Sequence, residues 1–143
     1  MPIVLISCAK KDDSSSSTPT YTYATPTSGA TASGTITLGN YSISGTYATV
    51  CFSASDSSAP TDATHIGMVA VVTGNDNLTL ETNYYTDSTC TADSLSLGSN
   101  QNIDNVTDQG ASSTGTDDRK ISFNQVNQKL LANTTAAKTF FDD

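Results

Sequence analysis

The sequence predicts a mainly β protein, a small antiparallel β-barrel or β-sandwich that follows a disordered N-terminal tether. Ser and Thr make up about 30% of the 143 residues, well above ordinary usage. Thr, Tyr, Val and Ile favour strands, whereas Glu, a good helix former, occurs once, at Glu81. Short alternating segments are separated by Gly, Asn and Asp, which are typical turn residues. These observations favour short strands joined by tight turns over a helical bundle.

Alternating apolar residues predict each strand in turn. Segments 35–38 and 41–43 flank a Gly-Asn turn, and a kinked strand is expected over 46–52 after Gly45. Residues 66–72 are apolar on both faces and predict a buried central strand. The sequence TGNDN then predicts a turn, so residues 78–85 form the second strand of a β-hairpin.

The second half of the chain is more polar and gives weaker signals. A short strand is expected over 94–97, a long surface loop, either mobile or functional, over 98–118, and a last good strand over 119–123. The tail is ambiguous, since Val126, Leu130 and Leu131 fit one or two helical turns, and residues 138–141 resemble another strand.

The charge balance excludes several partners. The formal net charge is -8 and only six residues are Lys or Arg. Phosphate contacts need basic side chains, so we predict no nucleic-acid partner. The same balance argues against an anionic membrane surface bound by charge alone.

The first twenty residues carry a processing signal. The stretch Leu5-Ile6-Ser7-Cys8 resembles the lipobox of bacterial lipoproteins, in which the cysteine becomes the lipidated N-terminus. The following KKDD resembles a surface-export signal of some bacterial lipoproteins, and the run of serines is typical of a flexible linker. The alternative is a chance apolar N-terminus with a buried cysteine.

The lipobox resemblance implies a domain organisation and an address. Residues 1–7 would be a remnant of the signal peptide, residues 8–34 a lipid-anchored flexible linker, and residues 35–143 an antiparallel β domain. Within the linker, residues 14–34 could dock on the edge of the domain or remain free. Lipid on Cys8 would bind the chain to the membrane at the outer membrane or cell surface of a bacterial cell envelope.

The two inner cysteines are expected to pair. Cys51 and Cys90 lie 39 residues apart, and in an oxidising compartment a disulfide is their natural state. Free buried thiols are the first alternative. A metal or catalytic site is the second, although His65 is the chain's one histidine and no familiar ligand spacing is present.

A second resemblance concerns the strands around these cysteines. GTY followed by CF, and later NYYTDSTCT, resemble motifs of uncharacterised bacterial lipoproteins with a small lipocalin-like β-barrel. That resemblance implies no activity. Tyr47, Tyr84 and Tyr85 are candidate ligand-binding residues, with core packing or cross-strand pairing as the simpler interpretation.

No motif predicts catalysis, a metal or a cofactor. Asp76, Asp87 and Asp93 lack the dense acidic run of a calcium loop, and His65 and Glu81 have no distinctive partners. We therefore expect a non-enzymatic envelope lipoprotein with a binding or structural role and a possible protein partner. The alternative is a lipocalin-like carrier of a small apolar ligand, which requires an apolar cavity of roughly 300 Å³ or more.

Overall fold

The structure, a computed structural model, describes residues 20–54, 57–113 and 118–142. These residues form antiparallel β-sheets and one short helix, which confirms the predicted mainly β class. The strands are β1 (Ile36–Leu38), β2 (Tyr41–Ile43), β3 (Thr46–Ala48), β4 (Phe52–Ser53), β5 (His65–Val72), β6 (Leu78–Tyr85), β7 (Leu95–Ala111) and β8 (Arg119–Ala132); a 3₁₀ turn spans Ala92–Ser94, and the helix is α1 (Thr135–Thr139).

Six of the strands form one sheet in the order β3-β5-β6-β7-β8, with β4 also paired to β5. Within the described residues the sheet stays open, because β3 with β4 lies at one edge and β8 at the other. The β1–β2 hairpin packs as a second layer, so the arrangement is closer to a sandwich than to a barrel. Its Ile36 and Leu38 join Val72, Ile103 and Val106 in a buried cluster.

Two faces of the six-stranded sheet are covered by different parts of the chain. We call the side that contacts β1–β2 the hairpin face. The opposite side, the strap face, carries Val69, Val71, Glu81 and Asn83, all buried. Residues 20–34, which we call the strap, lie over β5 and β6 on this face. The alternating buried pattern of β6 follows directly from the strap covering every second residue.

The strap corrects the predicted domain boundary. The sequence suggested a flexible linker over 8–34, but Ala24 is buried and packs with Val69 and Val71. The strap also hydrogen-bonds to the chain between β3 and β4, from Ala24 N to Thr49 O at 3.0 Å. Of the two alternatives left open by the sequence, the structure shows docking instead of a free linker for residues 20–34, and residues 8–19 lie outside the described residues.

A glycine permits this close approach of strap and sheet. A Cβ atom built on Gly67 of β5 would lie 2.4 Å from the Cβ of Ala24. Two non-bonded carbon atoms cannot lie that close together, so any other residue at this position displaces the strap. Tyr23 and Val50 form an isolated antiparallel bridge beside it. The strand expected over 46–52 is divided into β3 and β4, because four residue steps from Ala48 to Phe52 oppose only three steps on β5.

The central hairpin is confirmed, but the polar second half was misread. Residues 98–111 continue β7 rather than forming a loop, and β8 continues through 126–131, where helical turns were expected. Polar cross-strand pairs replace the apolar alternation that predicts strands. Gln128 Nε2 donates to Ser99 Oγ at 2.8 Å, and the Thr107 and Ser122 hydroxyls lie 2.7 Å apart.

The tail ends in a helix rather than the expected strand. Thr134 caps α1 by accepting a hydrogen bond from Ala137 N at 3.1 Å, and Ala137 is fully buried. Residues 138–141 therefore do not form the strand that the ambiguous tail also allowed.

Candidate functional site

The predicted disulfide is present. Cys51 and Cys90 are bonded, with their Cα atoms 6.0 Å apart, and Cys90 is fully buried. The bond joins the chain after β3 to the loop after β6 and packs beside Tyr85 and Leu95. The predicted lipidation residue, Cys8, lies outside the described residues.

The three candidate tyrosines do not form one site. Register places Tyr47 and Tyr84 on the hairpin face, whereas Tyr85, the neighbour of Tyr84, points to the strap face. Tyr85 is fully buried, its hydroxyl lies 3.5 Å from Thr25 O, and burial raises the pKa of its phenol. Tyr47 is exposed and its hydroxyl accepts a hydrogen bond from Ser44 N.

The structure also keeps the candidate ionisable residues apart. His65 begins β5 and contacts the Thr64 hydroxyl at 2.9 Å through Nδ1. Glu81 of β6 lies opposite Val69 of β5. Val69 is four residues from His65 on β5, so the two positions are about 13 Å apart at the usual strand rise. Among the described residues, no three His, Cys, Asp or Glu side chains are close enough to hold a metal ion.

Glu81 instead fastens the strap to the sheet. Its side chain is 1% exposed. It accepts hydrogen bonds from Thr27 N at 2.7 Å, Ser28 N at 3.1 Å and Asn83 Nδ2 at 3.2 Å, and a further one from the Thr27 hydroxyl. A buried carboxylate is tolerated here because several donors surround it.

The charge state of Glu81 follows from two opposing effects. Burial acts to raise the pKa of Glu81, but the hydrogen bonds from Ser28, Thr27 and Asn83 together outweigh burial and lower it. The carboxylate is therefore ionised at neutral pH, and its negative charge lies beneath the strap.

A polar groove opens beside the strap on the same face. It has a volume of about 370 Å³. Ser28 of the strap forms one side, Asn100 and Asn102 of β7 form the floor, and Asn127 and Lys129 of β8 lie on the other side. The groove is therefore lined by amide, hydroxyl and ammonium groups instead of by apolar side chains.

Sequence reasoning missed these groove residues because it assigned 98–118 to a loop and left the tail ambiguous, with Val126, Leu130 and Leu131 fitting one or two helical turns. The available signal was the two-residue spacing of Asn100 and Asn102, which places both on one face of a strand. Asn is uncommon in strands, so this spacing alone does not predict one.

A second groove lies near the turn between β5 and β6. Its volume is about 350 Å³. Its lining mixes polar side chains such as Asn77 and Asn102 with the apolar side chains of Leu78, Ile103 and Val126.

Comparison with known proteins adds no identity. No protein-family model, characterised protein or solved structure matches this chain. In the described part of the chain, no helix is both long enough and apolar enough to cross a membrane.

Proposed function

We propose that this chain is a bacterial cell-envelope lipoprotein, held at the outer membrane or cell surface by lipid on Cys8, with a non-catalytic binding or structural role. The disulfide between Cys51 and Cys90 carries the proposal. Structural disulfides persist in oxidising compartments and are rare in the cytosol. The resemblance of LISC to a lipobox supports the same address from an independent part of the sequence.

The path of the strap agrees with an N-terminal anchor. The strap joins the sheet beside the chain that links β3 and β4, so the first described residues lie at that edge. Four strand spacings separate β3 from β8, which is about 19 Å at the usual spacing. β7 and β8 are therefore the strands farthest from the start of the strap.

A non-catalytic role is favoured by the separation of His65 from Glu81 and by the use of Glu81 in holding the strap. The alternative, a carrier of a small apolar ligand, has less support. It calls for an apolar cavity near the candidate tyrosines, whereas Tyr85 points away from Tyr47 and Tyr84, and the groove beside the strap is polar.

Metabolic labelling tests the lipoprotein proposal. The chain is expressed in a bacterium with a basic, apolar leader placed before Met1, so that LISC is the one lipobox, and cells are fed radiolabelled palmitate. We expect label on the native chain and on Cys51→Ser, and none on Cys8→Ser. An unlabelled native chain, or label that persists in Cys8→Ser, would contradict lipidation at this residue.

A further inference from the structure

We propose that the groove between the strap and β8 binds a neutral, hydroxyl-rich ligand, such as a short stretch of an oligosaccharide. The proposal deepens the binding role suggested above, and its biological setting, though not its chemistry, rests on that role. Neither the candidate tyrosines nor the disulfide takes part in it.

The row of side chains across the groove floor is the first argument. Register places Asn100 directly between Glu81 on β6 and Lys129 on β8, all three on the strap face. Directly opposed residues in antiparallel strands have Cβ atoms about 5 Å apart, so this row is continuous. The next row places Asn102 between Thr79 and Asn127 in the same way.

An unsatisfied acceptor is the second argument. Asn100 is only 6% exposed and lines the groove, yet its Oδ1 accepts no hydrogen bond within the described part of the chain. A buried carbonyl oxygen without a partner destabilises the fold, and a hydrogen bond from a ligand would remove that penalty. The oxygen atom is itself buried, so a ligand reaches it when the amide turns about its final torsion, which is soft in asparagine.

The rim supplies unused donors. Thr79 Oγ1 donates to Asn102 Oδ1 at 3.2 Å. The amide nitrogen of Asn102 can therefore donate its hydrogens to a ligand. The exposed side chains of Asn127 and Lys129 make no hydrogen bond or ion pair within the described ranges. A ligand here therefore meets one buried acceptor and several exposed donors.

Sugar hydroxyls fit this pattern because each one both donates and accepts. An anion offers no hydrogen to Asn100 Oδ1, and it would also approach the ionised carboxylate of Glu81 in the adjacent position. A cation would be repelled by Lys129. A peptide strand would gain little, since none of the groove-lining residues Ser28, Asn100, Asn102, Asn127, Gln128 and Lys129 offers an apolar side-chain pocket.

The position of the groove suits a surface receptor for such a ligand. It lies over β7 and β8, on the half of the sheet far from the point where the strap joins β3 and β4. A volume of about 370 Å³ is within the range of small-ligand sites.

Side-chain amide NMR tests the proposal on the full chain with Cys8→Ser, which carries no lipid. The probes are cellotetraose, maltotetraose and chitotetraose, each at tens of millimolar. A tetragalacturonate and a tetra-alanine peptide serve as the anionic and peptide comparisons. We expect at least one neutral tetrasaccharide to shift the Asn100, Asn102 and Asn127 amide signals in a saturable way, while neither comparison probe does.

Matched variants locate the contact. Asn100→Leu and Asn127→Ala should each weaken binding about tenfold, as the loss of one or two neutral hydrogen bonds implies. Gln101→Leu is the control, because Gln101 lies between Asn100 and Asn102 on β7 but points to the hairpin face. Asn127 is exposed, so its replacement keeps the test valid even if Asn100→Leu does not fold.

Three results would overturn the proposal: no saturable shift with any neutral tetrasaccharide, equal or tighter binding of the tetragalacturonate or the peptide, or an equal loss in Gln101→Leu. None of them bears on palmitate labelling of Cys8. Failure of the groove and failure of the lipoprotein proposal can therefore be told apart.

Discussion

The two halves of the strap face contrast sharply, although they belong to one sheet. Over β5 and β6 the strap covers the sheet, and Val69, Val71, Glu81 and Asn83 are at most 2% exposed. Over β7 and β8 the strap is absent, and Asn127 and Lys129 face solvent. The covered half is built like a protein core, and the open half like a polar surface.

The difference teaches how polar residues can serve two purposes on one sheet. In the covered half Glu81 accepts hydrogen bonds from the strap and from Asn83, so its burial stabilises the fold. In the open half, one strand away, Asn100 is nearly as buried but keeps an unpartnered oxygen. Satisfied polar groups support the fold, and the unsatisfied one indicates a place for a ligand.

Removal of the disulfide should have the largest effect on the covered half. The bond closes a loop of 39 residues between Cys51 and Cys90. In the chain-entropy model a loop of that size adds about 3–4 kcal/mol to the free energy of unfolding. The double variant Cys51→Ser, Cys90→Ser should lose that amount in urea unfolding, and the native chain under reducing conditions should match it. An unchanged midpoint would show that the bond does not constrain the domain.

Replacement of Glu81 should come next. Glu81→Ala leaves the backbone N–H groups of Thr27 and Ser28 without their acceptor, so we expect the free energy of unfolding to fall by about 3 kcal/mol. Glu81→Gln retains one acceptor oxygen and should lose less. Equal losses in the two variants would mean that the acceptor oxygen retained in glutamine does not hold the strap, which would contradict this assignment.

Glu81 should also make the stability depend on pH. The pKa of Glu81 in the folded chain is lower than the ordinary value of about 4.3. The contribution of Glu81 to the free energy of unfolding is therefore fully present above that ordinary value. That contribution is lost as the pH falls through the lower, folded pKa. Urea unfolding at a series of acidic pH values should show the loss in the native chain and a smaller one in Glu81→Gln. Identical pH profiles would contradict this assignment.

The contact between strap and sheet can be broken and restored. Gly67→Ala places a Cβ against Ala24 and should cost about 1–3 kcal/mol through overpacking. Ala24→Gly in the same chain removes the opposing methyl group, so the double variant should recover much of the loss. Thermal unfolding of the two single variants and the double variant measures the coupling. Strictly additive losses would show that the two residues do not touch.

The smallest effect is expected outside both halves, at an ion pair of β7 and β8 that lies beside the β1–β2 hairpin. Arg119 Nε donates to Asp108 Oδ1 at 3.0 Å, and this guanidinium holds the pKa of Asp108 below its usual range. Because the pair is solvent-accessible, Arg119→Met should shift the urea midpoint less than any variant above, and high salt should reduce the difference. A shift as large as that of Glu81→Ala would contradict the view that only the buried, hydrogen-bonded carboxylate contributes strongly to stability.

Much of the first half could be predicted from the sequence, because apolar alternation and turn residues follow strand geometry. The hairpin of β5 and β6 was expected on those grounds, whereas the pairing of Cys51 with Cys90 was expected from an oxidising compartment. Whether the strap docks or remains free was left open, because its docking depends on Glu81 from 50 residues or more further along the chain and on the absence of a side chain at Gly67. Neither feature has a local signature.

The second half was harder for a different physical reason. β7 and β8 form the most extensive strand pair, but many of their contacts are between polar side chains. Sequence patterns based on hydrophobicity assign such residues to loops. The positions of the groove residues Asn100, Asn102 and Asn127 therefore follow only from the strand pairing in the structure.

Hydrogen exchange tests the contrast between the two halves most directly. In the native chain at neutral pH, the amides of Thr27 and Ser28 should exchange as slowly as those of β5 and β6, because Glu81 accepts their hydrogen bonds. In Glu81→Gln they should exchange faster, while the outward-facing amides of β8, at the free edge, should exchange quickly in both proteins. Rapid exchange at Thr27 and Ser28 in the native chain would contradict the account.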